Sequence, residues 1–328
     1  MTDNKHSRKT AAKAGVAINA PARLHLGFLD LNGSLGRRFG SIGLAISEPA
    51  TNAVIEPAPE FSASGDESER ALKLVKRLAG ALELPGAYKV HVSSAIPAHA
   101  GLGSGTQLAL SIGSALARIN NRDVTTRELG ELVERGARSA IGMAAFDAGG
   151  FVIDGGRGPS DHAPPVLARH PFPESWRVLL VMDPKAVGVH GDREKRAFAN
   201  LPEFSDASAG HLSRLILMRL LPGLVEADLA TFGQALTEIQ HIVGSHFAPA
   251  QGGSPWSSPA VGRACERLAE AGAKGIGQSS WGPTGFAFAE SEAVAMKLYS
   301  SLVGDVTGSG LSLTIVSGRN TGARVSAA

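Results

Sequence analysis

The 328 residues are enough for one large or two medium domains with a substantial buried core. A net charge of +2, from 32 basic and 30 acidic residues, argues against a nucleic-acid or membrane field, and 43% hydrophobic with 19% charged residues fits an ordinary water-soluble fold. One cysteine, Cys265, excludes an internal disulfide framework and a cysteine-rich metal site, and no apolar run approaches a membrane span.

Residues 1–14 read as a disordered basic tail carrying Lys5, Arg8, Lys9 and Lys13, without the apolar stretch of a secretory signal, so a cytoplasmic location is expected. Residues 16–31 read as a strand broken at Pro21. A Gly- and Arg-rich loop follows at 32–41, then strands at 42–46 and 53–55. A helix is expected over 66–83, with Leu72, Val75, Leu78 and Leu82 on one face, and a strand over 88–94. The segment 93–107, SSAIPAHAGLGSGTQ, runs from a strand end through a glycine-rich loop into a helix. Leu108, Ile112, Leu116 and Ile119 recur there at helical spacing. Such a loop gathers free N–H groups at the positive end of a helix dipole. Gly101, Gly103, Ser104, Gly105, Thr106 and Gln107 are therefore phosphate-binding candidates, although a helix start that merely needs glycine for its turn has the same pattern.

A second helix is expected over 125–138 with Thr126 as a possible cap, then a short strand at 151–153 and an apolar one at 178–182. Long helices follow at 207–221 and 226–247. Pro259, after Ser257 and Ser258, opens another that ends near Gly272, with Cys265 at core spacing from Val261 and Leu268. Strands at 275–278 and 286–289 flank a second conspicuous loop, and a helix near 291–303 and a strand near 312–316 close the chain. The expected class is α+β, with a tail at 1–14, an N-terminal unit at 15–180 holding the glycine-rich loop, and a C-terminal α+β unit at 181–328.

Three segments in this order, 20–46 (APARLHLGFLDLNGSLGRRFGSIGLAI), 97–107 and 275–288 (GIGQSSWGPTGFAF), resemble the GHMP kinase superfold. With AAFDAGGFVIDGG and QGG added, the chain is similar to the β-ribofuranosylaminobenzene 5′-phosphate synthases from about Val16 to Val316. It departs from kinases of that superfold at three positions. Gly105 stands where a second serine is usual, Gly142 where an aspartate assists phosphoryl transfer, and Arg23 where a lysine is common.

The resemblance implies a GHMP kinase-like fold with the active site between two mixed α/β halves. It implies condensation of phosphoribosyl pyrophosphate with 4-aminobenzoate, or 4-hydroxybenzoate, releasing CO2 and pyrophosphate on the way to tetrahydromethanopterin-type one-carbon carriers. Mg²⁺ as cofactor, a homodimer, and small-molecule rather than nucleic-acid or membrane partners are implied with it. An ATP-dependent kinase and a non-catalytic phosphometabolite sensor on the same fold are the alternatives. The apolar stretch VLLVMD at 178–183 ends in an acid, but Pro184 and Lys185 follow, so it reads as a buried strand rather than a phosphoribosyl pyrophosphate loop.

Arg23, His25 and Asp30 are the catalytic candidates. Arg23 alternates with apolar neighbours and suits a buried pairing role. His25 shares its strand face and reads either as a group that protonates or orients a leaving oxygen or as a core histidine. Arg37 and Arg38 offer guanidinium forks for phosphate or carboxylate, or form a solvated basic loop. Asp147 and Asp154, like Asp30, lie beside motif glycines and read as magnesium ligands or turn caps. Gln278, Ser279, Ser280 and Thr284 are candidate phosphate or ribose contacts, and Trp281 a ring to stack on the benzoate or a packed turn residue. Gln251 and Gln240 are weaker candidates for ribose or carboxylate contact.

Overall fold

The computed structural model describes residues 14–159, 162–189 and 191–328, so the expected tail lies outside the described residues apart from Ala14. The chain opens with a long antiparallel pair, β1 (Val16–Asp30) and β2 (Phe39–Ala58). Pro21 does not end the first strand. Pro21 pairs with Ala50 and Ala22 with Ile46, so the intervening residues of β2 are absorbed as an irregularity and both strands continue. The two short strands expected at 42–46 and 53–55 are therefore one.

Next come β3 (Ser62–Gly65), α1 (Ser68–Ala81), β4 (Ala87–Ser94), α2 (Ser104–Ile119) and α3 (Thr126–Leu132). α3 is shorter than the expected helix, and its cap is Thr125 rather than Thr126. The Thr125 Oγ1 accepts from the Glu128 amide at 3.2 Å, and the Glu128 carboxylate accepts from the Thr125 amide at 2.7 Å. The chain has left the helix before Gly136, whose φ of 86° suits glycine. Arg135 and Arg138 consequently project from an irregular connection.

α4 (Ile141–Asp147), β5 (Phe151–Asp154), β6 (Val166–His170) and β7 (Arg177–Met182) follow. The second half contains α5 (Gly191–Asn200) and α6 (Asp206–Leu215), continued by a π-helical turn at Ile216–Leu220 into α7 (Leu221–Val225). Then come α8 (Leu229–Phe247), α9 (Pro259–Glu270), β8 (Lys274–Gln278), β9 (Gly285–Ala289), α10 (Glu292–Gly308), β10 (Ser312–Ser317) and β11 (Arg324–Ala327).

Two sheets result. The first runs β11-β1-β2-β4-β3, with β5 pairing with β2 and β6 with β5. The second runs β10-β7-β9-β8. The expected division at 180 falls inside β7, which belongs to the second sheet, and β11 returns the C-terminal end to β1. Period-two alternation in β7 explains the layering. Val178 and Leu180 enter the central core with Phe232 and Leu236 of α8, while Leu179 and Val181 pack with Cys265 and Leu268 of α9 on the opposite face. A third core joins β1 and β4 to α1 and α2 through Val75, Leu78, Leu108 and Ile112. Among the described residues no helix is long and apolar enough to cross a membrane.

Candidate active site

The three motif segments meet at the N-terminus of α2. Gly101 and Gly103 have φ of 78° and 84°, and Gly103 caps the helix in the left-handed conformation. Gly101 has a second reason to be glycine, since a Cβ there would lie 2.3 Å from the Ser279 carbonyl oxygen. Arg23 Nη1 donates to the Gly101 carbonyl, and the Ser279 hydroxyl donates to the same oxygen at 2.7 Å. Ser279 Oγ also accepts from the His25 amide at 2.9 Å, and the Ser280 amide donates to the His25 carbonyl at 3.3 Å. β1, the glycine-rich loop and the 278–284 turn are thus laced together around the Gly101 carbonyl and the Ser279 hydroxyl. Ser104, Gly105 and Thr106 remain partly exposed at the mouth.

Burial dominates the electrostatics. It lowers the Arg23 guanidinium to about 10, opposed by the Glu194 charge, so Arg23 is cationic at neutral pH. Its Nε is buried and has no hydrogen-bond partner. Burial, then the Arg23 charge, push His25 down to about 3 from its ordinary 6.5. A neutral imidazole cannot protonate a leaving oxygen, which leaves His25 a positioning role. The lowered value also has a stability consequence. Between pH 6.5 and 3 the unfolded chain binds the proton that the folded chain refuses, so stability falls as pH drops through that window. The slope approaches about 1.4 kcal/mol per pH unit. His25→Gln is expected to flatten this limb of a pH–stability curve measured by chemical denaturation, and an unchanged slope contradicts the neutral buried ring.

Sequence reading missed the other cations here. A Cβ on Gly105 would lie 2.3 Å from Arg70 Nη2 and 3.3 Å from Arg135 Nη2, so two guanidinium groups crowd the first turn of α2. Arg138 is close by through Glu194, which accepts from it at 2.8 Å and acts electrostatically on both Arg23 and Arg135. Only Gly105 itself signalled them, as a residue kept small beside a charged neighbour.

Several expected ligands serve the fold instead. Gln107 is fully buried one turn into α2, where its amide donates to the Gly142 carbonyl at 2.8 Å. The Trp281 ring stacks on Phe247 at 4.3 Å and 15° and meets Phe198 edge-on at 5.2 Å. At 3% exposure it cannot stack on a substrate. Thr284 is fully buried. Gln278 accepts from Ser257, donates to Gln251 Oε1 at 3.0 Å and to the Ser280 carbonyl at 3.1 Å, and its amide donates to Gln240 Oε1 at 2.8 Å. Gln240, Gln251 and Gln278 are therefore a brace for the turn. Arg37 spends Nε and Nη2 on the carbonyls of Gly155 and Gly156, each at 2.7 Å, and Arg38 spends Nε on Leu31 at 2.9 Å. Both staple the 32–38 loop.

The three carboxylates likewise have partners within the fold. Asp30 accepts from the amides of Asn32 and Gly33, an Asx turn. Asp154 is fully buried and accepts four hydrogen bonds, from Ser41, Gly156, Ala140 and Ser139. Asp147 accepts from the Thr126 hydroxyl at 2.8 Å. Burial raises both Asp147 and Asp154 above the ordinary carboxylate value. Among the described residues no three His, Cys, Asp or Glu side chains converge on a point.

Beside the cradle lie two adjoining hollows that share Gln240, Pro255 and Gln278. One is narrow and lined by His25, Phe28, Phe247 and Ser280. The other, of about 280 Å³, is lined by Trp256, Ile276 and His241. Trp256 gives the wider hollow an aromatic side, and Glu266 an acidic one.

The comparisons agree with this architecture. The GHMP kinases N terminal domain matches residues 68–155 and the GHMP kinases C terminal family residues 220–305. A homoserine kinase from Cytophaga hutchinsonii shares the fold at a TM-score of 0.70 and 18% identity, covering 97% of this chain and 99% of its own. Galactokinase from Lactococcus lactis does so at 0.70 and 14%, covering 96% of each. The β-ribofuranosylphenol 5′-phosphate synthase of Methanothermobacter thermautotrophicus is 32% identical across 93% of this chain and 97% of that protein. The synthase of the same name from Archaeoglobus fulgidus is 34% identical across 84% and 88%. The chain belongs to the β-ribofuranosylphenol 5′-phosphate synthase family, enzymes built on the GHMP kinase fold.

Proposed function

We propose that the chain condenses phosphoribosyl pyrophosphate with a para-substituted benzoate, 4-hydroxybenzoate or 4-aminobenzoate, releasing CO2 and pyrophosphate. The observation that carries this reading is the cradle itself, which has the form of an anion site but lacks a kinase's transfer carboxylate. Gly142 stands at the start of α4, and a side chain there would press on Thr106 Cγ2 at 3.2 Å, so no carboxylate is presented to a transferring phosphoryl group. The relatives' name, a ribofuranosylphenol phosphate, corresponds to 4-hydroxybenzoate as acceptor.

In this mechanism the bond from the anomeric carbon to pyrophosphate breaks, and its electron pair leaves with pyrophosphate. The α2 N-terminus and Arg23 stabilise that charge. The ring carbon bearing the carboxylate then bonds to the anomeric carbon, drawing electron density from the para hydroxyl or amino group. Loss of CO2 returns the bonding pair to the ring and restores aromaticity. The wider hollow, lined by Trp256 and Ile276, holds the ring and excludes water, which would otherwise hydrolyse the activated sugar. Neutral His25 adds no positive charge beside the developing sugar cation.

A thermal-shift comparison separates this reading from a kinase. Phosphoribosyl pyrophosphate at about 100 times its Kd is expected to stabilise the chain by about 2.7 kcal/mol, with ATP giving no comparable shift. Stabilisation by ATP alone would overturn the proposal.

A further inference from the structure

Two cationic side chains rarely share a partly buried position without an anion between or before them. Beside Gly105, the Nη2 atoms of Arg70 and Arg135 lie 2.3 and 3.3 Å from the point a Cβ would fill. Local carboxylates balance them incompletely. Glu67 is 3.5 Å from Arg70, and Glu194 is already bound to Arg138. Among the described residues Arg135 has no ion pair in contact. It feels Glu194 and Glu134 through space, against the like charges of Arg70 and Arg77. A third guanidinium, Arg23, lies against the same loop two residues away, its buried, unpartnered Nε 3.4 Å from where a Gly103 Cβ would lie. Arg70 and Arg135 thus flank the first turn of α2. The arrangement suits one ligand class, a polyanion with several terminal oxygens.

We propose that Arg70 and Arg135, completed by Arg23, form an arginine clamp that binds a diphosphate group at the first turn of α2 without a protein-held metal ion. Gly105 is a specificity-determining residue in this clamp, because any side chain there displaces Arg70. The clamp neutralises the diphosphate charge with guanidinium forks. Arg70 also lines an open cleft with Glu67, Ser68 and Lys73, which gives the ligand a route from solvent. The assignment of this diphosphate to phosphoribosyl pyrophosphate rests on the function proposed above; the clamp itself does not.

The test is calorimetric titration of the full chain with inorganic pyrophosphate, in EDTA and again in Mg²⁺. Saturable binding in EDTA is expected. Arg70→Ala and Arg135→Ala should each weaken it at least about tenfold, Gly105→Ser about as much, and Arg70→Lys less than Arg70→Ala. Circular dichroism reports whether each variant is folded, and Gly105→Ser keeps every arginine if an alanine variant does not fold. Binding that requires Mg²⁺, or folded variants with wild-type affinity, would overturn the clamp. Arginine-dependent pyrophosphate binding in a chain that releases no CO2 from benzoates supports the clamp and refutes the condensation. CO2 release with unchanged pyrophosphate affinity in the variants refutes the clamp alone.

Discussion

Arg23→Ala is expected to lower kcat/KM by about 100-fold or more while shifting Tm by only a few degrees. The guanidinium touches both left-handed glycines of the cradle. Its Nη1 holds the Gly101 carbonyl, and its Nε is buried without a partner beside Gly103. Removing it deletes a charge-assisted donor from the place where leaving-group charge develops. Ser279 still donates to the Gly101 carbonyl, so the loop keeps an anchor. Arg23→Lys preserves charge but not the fork and should fall between the two. Steady-state kinetics in both substrates, paired with thermal denaturation, check this. A kcat/KM within about threefold of wild type would remove Arg23 from the site.

The second large effect is on stability. Trp281→Ala should cost about 3–5 kcal/mol, because it empties a slot between Phe247 and Phe198 at the centre of the main core. Trp281→Phe should cost much less. It keeps an aromatic ring and removes an indole N–H that is buried without a partner. Urea unfolding measures both. A Trp281→Ala variant with an unchanged midpoint and a raised KM for the benzoate would return the ring to the substrate pocket and contradict the packing account.

The cradle was legible in the sequence because its signals are local. Gly101 and Gly103 sit where left-handed backbone is needed, and Leu108 and Ile112 show the buried face of the helix that follows. Arg23 was legible because a charge alternating with apolar residues in a strand implies burial. Arg70 and Arg135 were not, since arginines in α1 and in a connection after α3 look like solvated surface until the fold brings both to Gly105. Overestimating the helix at 125–138 hid Arg135 further, because a helical Arg135 would have another direction. Trp281 and Gln278 show the converse. A donor-rich turn with one aromatic residue has the composition of a binding loop whether its side chains face a ligand or, as here, Phe247 and Gln251. The acids near glycines carry the same ambiguity, and Asp154 accepts from four backbone and hydroxyl donors. β6 and β11 are short and carry exposed or half-exposed residues, so no periodicity announced them.

The central claim is a decarboxylating condensation, and its most direct measurement is release of labelled CO2 from carboxyl-labelled 4-hydroxybenzoate and 4-aminobenzoate, with and without phosphoribosyl pyrophosphate. The account predicts release that depends strictly on the sugar phosphate and matches pyrophosphate formed one for one. No release from either benzoate, or ADP formation from ATP in its place, would contradict it.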